Sequence, residues 1–141
     1  MLIEALENSI RRAPSNLLRR AILMPIPGSK RAIRKRGRDF IFEMTTQLSI
    51  RTGIPITTGL QINRRLLDQS RLSAGDRIRN ISESFNYIGA PIGVEQEIFL
   101  VDDLVTTGAT LLEAKRALNL RGISVNRAIT ACMAQTLNIG G

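Results

Sequence analysis

The sequence predicts an α/β domain, a mainly parallel twisted sheet with helices on both faces. Three observations point there. Short apolar runs alternate with helix-period segments along the chain. The two late runs, 95–101 and 123–132, lack the polar alternation of a sheet face open to water, so those strands are expected to be covered on both sides. One of them, "IFLVDD", runs directly into a Thr/Gly turn and a helix start, the strand–loop–helix unit of such sheets. At 141 residues the chain suits one domain, 1–141, with a single core.

In chain order, residues 1–20 form an N-terminal helical segment, with acids early and arginines late in "LIEALENSIRR". Residues 21–27, "AILMPIP", read as a strand stopped by Pro25 and Pro27. A basic loop follows over 28–38. Residues 39–53 predict a helix capped by Asp39, with Ile41, Met44 and Leu48 on one face and Gly53 at its end. Phe40 and Phe42 are expected to pack this helix on the sheet. Residues 54–62 predict a strand. The segment 63–85 carries five arginines and is too long for a tight connection, so a flexible loop is expected there. After the strand 95–101, a helix over 109–121 is closed by Gly122, and a last buried strand covers 123–132. Cys132, Phe85 and Tyr87 read as core residues.

Composition narrows the chemistry. There is one cysteine and no histidine, which excludes Ser-His-Asp and Cys-His catalysis within the chain and a Cys/His zinc site. Seventeen arginines and three lysines against twelve acids give a net charge of +8. Arginine forks match phosphate oxygens with paired hydrogen bonds, so a phosphate-rich partner is expected. Aromatics are only 4%, which lowers the case for stacked single-stranded bases. No apolar run reaches the roughly 20 residues of a membrane helix, and the N-terminus lacks the basic start and apolar block of a signal peptide. A cytoplasmic location is the expectation.

The chemistry concentrates in "IFLVDDLVTTGAT". Thr106, Thr107, Gly108, Ala109 and Thr110 lie between a strand and a helix start. The first amides of a helix lack internal partners, the helix dipole is positive there, and a phosphate fits the place. Gly108 allows a tight turn. This is not a Walker loop, because "GK[ST]" is absent. Asp102 and Asp103 start toward opposite sides of an extended chain, and a bend at the strand end can bring them to one ligand. Carboxylates grip vicinal hydroxyls, and they can reach Mg²⁺, often through water. A ribose 5-phosphate group offers both a diol and a phosphate. Either feature alone is ordinary turn chemistry; their joint placement favours a site.

This segment closely resembles the phosphoribosyl pyrophosphate (PRPP) motif of type I phosphoribosyltransferases. Further features resemble the ComF-type branch, named for competence protein F: Pro25, Ile26 and Pro27, the pair Arg36–Gly37, and the spaced Arg64, Gln69, Leu72, Arg77, Asn80 and Phe85. The resemblance covers roughly residues 20–136. It implies a type I phosphoribosyltransferase-like fold and transfer of 5-phosphoribosyl from PRPP to a nucleobase or amine, releasing pyrophosphate, with Mg²⁺ as cofactor. By that resemblance Asp102 and Asp103 are the catalytic carboxylates and hold the ribose hydroxyls and, directly or through water, Mg²⁺. Residues 106–110 bind the 5-phosphate. Pro27, Gly28, Ser29, Lys30 and Arg36 form the pyrophosphate loop, and Arg64, Arg71 and Arg77 belong to the flexible loop. A homodimer is also implied.

Three departures stand beside the likeness. The cysteine-rich zinc module of many ComF-type proteins is missing. The usual Gly-Phe-Asn-Gln appears as Gly37, Arg38, Asp39, Phe40. Thr106 stands where some purine-salvage enzymes carry an acid that acts on the base. Two alternatives therefore remain: a non-catalytic PRPP- or nucleotide-sensing module linked to DNA uptake, and a nucleic-acid binder using the arginine-rich face.

Overall fold

The computed structural model describes residues 2–28, 34, 37–62, 85–103, 108–130 and 135–140. Its centre is a four-stranded sheet built from β1 (Ala21–Pro25), β4 (Glu97–Asp102), β5 (Val125–Thr130) and β6 (Gln135–Asn138), in the order β1-β4-β5-β6. The pairs β1–β4 and β4–β5 are parallel, and β6 returns antiparallel to β5. A second, two-stranded antiparallel sheet joins β2 (Leu60–Ile62) and β3 (Phe85–Tyr87). The expected mainly parallel sheet is present, with one antiparallel edge strand, β6, beyond the 123–132 run expected to be the last.

Both faces are covered, as the unbroken apolar runs require. Leu23, Phe99, Val101 and Ile129 face α1 (Leu2–Arg11) and α3 (Phe40–Thr52), meeting Leu6, Ile10, Met44 and Leu48. Ile98, Leu100 and Ala128 face α4 (Ala109–Asn119) and the β2–β3 pair, meeting Leu111, Leu118, Phe85 and Tyr87. Successive strand residues alternate faces, so β4 supplies both cores in turn. The short α2 (Ser15–Leu18) leads from α1 into β1. Glu7 holds α1 to α3: its carboxylate accepts from Arg11 at 2.7 Å and from Arg51 at 2.7 Å, and these contacts keep it below its usual pKa.

α3 forms as its sequence predicts. The Asp39 carboxylate accepts from the Phe42 amide at 3.1 Å, and Gly53 ends the helix in the left-handed region, φ 74°. Ile41, Met44 and Leu48 are buried. Phe42 differs from expectation. It lies one position, about 100°, around from Ile41, and is 44% exposed, so only Phe40 of the two packs inward. Phe85 and Tyr87 are buried among apolar neighbours, as expected.

Residues 54–62 do not make one strand. Ile56 forms a parallel bridge to Leu23, with Pro55 O accepting from Leu23 N and Thr57 N donating to Leu23 O, both at 2.9 Å. The chain then leaves β1 and pairs with β3 instead. Gly59 marks the break: at φ 155°, an added Cβ would sit 2.6 Å from the Gly89 backbone. The remaining boundaries shift slightly. β4 extends to Asp102, α4 ends at Asn119 with Gly122 following at φ 74°, and the last expected strand is Val125–Thr130. Cys132 and all of 63–85 except Phe85 lie outside the described residues.

Candidate functional site

The carboxyl edge of the parallel sheet gathers three chain segments. β4 and β1 are neighbours, and the Ile26 amide extends their pairing by donating to Val101 O at 2.8 Å. Pro27 and Gly28 therefore leave the sheet beside Asp102, and both are half-buried. α4 follows β4 through residues 103–108 and begins at the same edge. Crevices of this kind, beyond the carboxyl ends of parallel strands, are where open α/β sheets bind ligands.

Asp102 is the last residue of β4 and is only 4% exposed. Its parity with Ile98 and Leu100 sets it on the α4 face. Asp103 follows as a bend and is half-buried. That bend turns the Asp103 amide back onto Asp102, whose Oδ1 accepts from it at 2.9 Å. Burial pushes the Asp102 carboxyl from 3.8 up to about 6, against the lowering effect of that amide. The Asp103 negative charge and a hydrogen bond between the two carboxyls add to the rise. The bend at the strand end thus puts the two acids in direct contact.

The start of α4 is shaped for an approach to its amides. Gly108 occupies the N-cap in the left-handed region, φ 78°, which a β-carbon disfavours. Its carbonyl accepts from Leu112 N at 3.0 Å, opening the helical ladder. The first turn carries no acidic side chain, so no carboxylate of that turn neutralises the positive dipole end. Ala109 and Thr110 are exposed there. Thr106 and Thr107 lie outside the described residues, as do Ser29, Lys30, Arg36, Arg64, Arg71 and Arg77. Of the expected site residues, the structure thus gathers Asp102, Asp103, Gly108, Ala109, Thr110, Pro27 and Gly28 at one edge.

Two features were missed from sequence. Glu113 and Arg116 of α4 bracket a strand backbone: Glu113 accepts from Phe85 N at 3.1 Å, and Arg116 donates to Phe85 O at 3.2 Å. The two side chains pair at 2.6 Å, with Glu113 buried. The i, i+3 spacing of opposite charges on a predicted helix was the available signal. The second is Thr130, wholly buried at the end of β5 and in register with Asp102. Its position ending the run "AIT" gave no such sign.

A surface groove of about 660 Å³, lined by Leu2, Phe40, Phe42 and Glu43 among others, lies at α1 and α3 and includes neither aspartate.

Two carboxyl groups in contact are hard oxygen donors of the kind Mg²⁺ takes. Among the described residues there is no group of three or more His, Cys, Asp or Glu side chains to form a closed protein cage.

Solved structures carry the same architecture. A hypoxanthine phosphoribosyltransferase from Staphylococcus aureus, in its orthorhombic crystal form, superposes with a TM-score of 0.50 at 11% identity; the tetragonal form gives 0.49 at 12%. Each match covers 91% of this chain and 62% of the other. The fold is that of the type I phosphoribosyltransferases. At this identity the likeness is one of fold, and the chain spans 62% of the length of those structures. No protein-family model and no curated protein matches the sequence.

Proposed function

We propose that the chain binds PRPP with Mg²⁺ and transfers its 5-phosphoribosyl group to a nitrogen acceptor, releasing pyrophosphate. The observation that carries this reading is the contact between buried Asp102 and Asp103 at the sheet edge where α4 begins. The likeness in fold to hypoxanthine phosphoribosyltransferases supports it. So does the resemblance of residues 98–110 to the PRPP motif.

In this reading the aspartates accept hydrogen bonds from the ribose 2- and 3-hydroxyls. The 5-phosphate lies at Gly108–Thr110 and the preceding threonines, and the pyrophosphate lies by Pro27, Gly28 and the basic residues after them. Mg²⁺ would supply charge neutralisation of the pyrophosphate. The bond from the anomeric carbon to the pyrophosphate oxygen breaks, the acceptor nitrogen forms its bond to that carbon, and the nitrogen's proton leaves to solvent. Positive charge grows on the ribose ring during the displacement. Two ionised carboxylates held beside the ring favour that charge while fixing the sugar, which combines orientation with electrostatic stabilisation. No covalent enzyme intermediate is required.

The test is ligand-dependent stability followed by turnover. PRPP with Mg²⁺ at about 100 times its dissociation constant should add roughly 2.7 kcal/mol to unfolding. Incubation with a panel of bases should then release pyrophosphate above background. Stabilisation without release for any base would replace the transferase with a sensing module. Absence of stabilisation would remove the sugar-phosphate reading.

A further inference from the structure

Thr130 is wholly buried at the carboxyl end of β5, and among the described residues its hydroxyl has no hydrogen-bond partner. A buried hydroxyl left unmet is unfavourable, and most in folded proteins find a partner. Its surroundings show which partner is at hand. Asp102 and Thr130 are direct neighbours across the parallel β4–β5 ladder. Leu100 and Ala128, two residues earlier on each strand, face the α4 side. By strand parity Asp102 and Thr130 stand side by side on that same face.

Asp102 has unused capacity. One of its oxygens accepts from the Asp103 amide and the two carboxyls share a hydrogen bond, while an ionised carboxylate offers about four acceptor sites. To grip a diol, the carboxylate must be ionised and held in one orientation although it is almost out of water. A neutral donor beside it stabilises the charge without adding another. A threonine side chain has staggered alternatives, and a change of rotamer on ligand binding would carry its hydroxyl oxygen to a new position beside the carboxylate.

We propose that Thr130 is a positioning residue of the candidate site, its hydroxyl donating to the Asp102 carboxylate and aiming it at the sugar diol of the ligand. The inference rests on the sugar-phosphate reading above and adds to it a residue outside the motif. It carries a signature that an ordinary core threonine lacks. The hydroxyl is unmet in the ligand-free fold and donates to Asp102 once ligand is bound, so one substitution should move stability and affinity in opposite directions.

The experiment compares wild type, Thr130→Val and Thr130→Ser by thermal unfolding without ligand and by titration calorimetry with PRPP and MgCl₂. Valine keeps the shape and removes the hydroxyl. It should raise the ligand-free Tm by a few degrees and weaken PRPP binding by about tenfold, the scale of a hydrogen bond to a charged group. Serine should restore affinity to within about threefold of wild type. If wild type binds and valine binds equally well, the Thr130 role is overturned and the sugar-phosphate reading stands. If valine lowers Tm and affinity together and serine fails to restore binding, Thr130 is only a packing residue. If wild type does not bind PRPP with Mg²⁺, the site reading fails and this role fails with it.

Discussion

Asp102 is held where a carboxylate is uncomfortable. It is almost fully buried, against an acidic neighbour, and titrates near 6. Because its folded pKa lies above its unfolded value of 3.8, the folded state binds the extra proton between those values. Its contribution therefore favours folding below about pH 4 and is lost as pH rises through about 6. Asp102→Asn should then stabilise the ligand-free protein at pH 8 by up to about 3 kcal/mol, with the gain fading as pH falls from about 6 to about 4. Urea unfolding across pH 4–8 reads this directly; a pH-independent difference would contradict the burial argument. Asp103→Asn should abolish most of the thermal response to PRPP with Mg²⁺, and an unchanged response would refute its ribose role. The pairing of these acids was legible in "VDDLVTTGAT", because a strand ending in two carboxylates before a Gly turn is a local pattern. The neighbour Thr130 was not, because it arrives from another strand through sheet register.

Among the elements, α3 was the most readable. Its cap, its buried stripe and its terminal glycine are all set by residues within the segment. Asp39→Ala should cost about 1 kcal/mol by losing the cap, measurable by denaturant unfolding. The run 54–62 was misread as one strand for a physical reason. Its middle must pass close to Gly89, thirty residues away, and no local propensity records that approach. The Glu113–Arg116 bracket is likewise a tertiary feature. Arg116→Met would leave the buried Glu113 carboxylate without its cation, and should destabilise by about 3 kcal/mol. A loss below about 0.5 kcal/mol in urea unfolding would show that the pair contributes little, as exposed pairs often do.

For the whole molecule, the mainly parallel sheet and its two-sided covering followed from composition of the strands: unbroken apolar runs need a helix on each side. The antiparallel return of β6 did not follow, because 123–132 read as the last strand and the short polar Gln135–Asn138 carries no unbroken apolar run. Among the described residues no helix is long and apolar enough to cross a membrane. The net charge of +8 leaves a separate question of partners. If the arginine-rich surface binds nucleic acid through phosphates, DNA affinity should fall steeply between 50 and 200 mM salt, by about a thousandfold or more for six or more contacts. Weak binding that ignores salt would confine the positive charge to small phosphate ligands and general electrostatics.

The hold of α4 on Phe85 also divides the chain into lengths that can change and lengths that cannot. Both the amide and the carbonyl of one residue are engaged by one helix, so sliding β3 by a single position would leave a buried acid facing the wrong backbone group. The exposed turn at 93–96, where Val94 is almost wholly in solvent, lies outside that bracket. Extra residues should be accommodated there, while an insertion inside 85–87 should unseat the β2–β3 pair from α4.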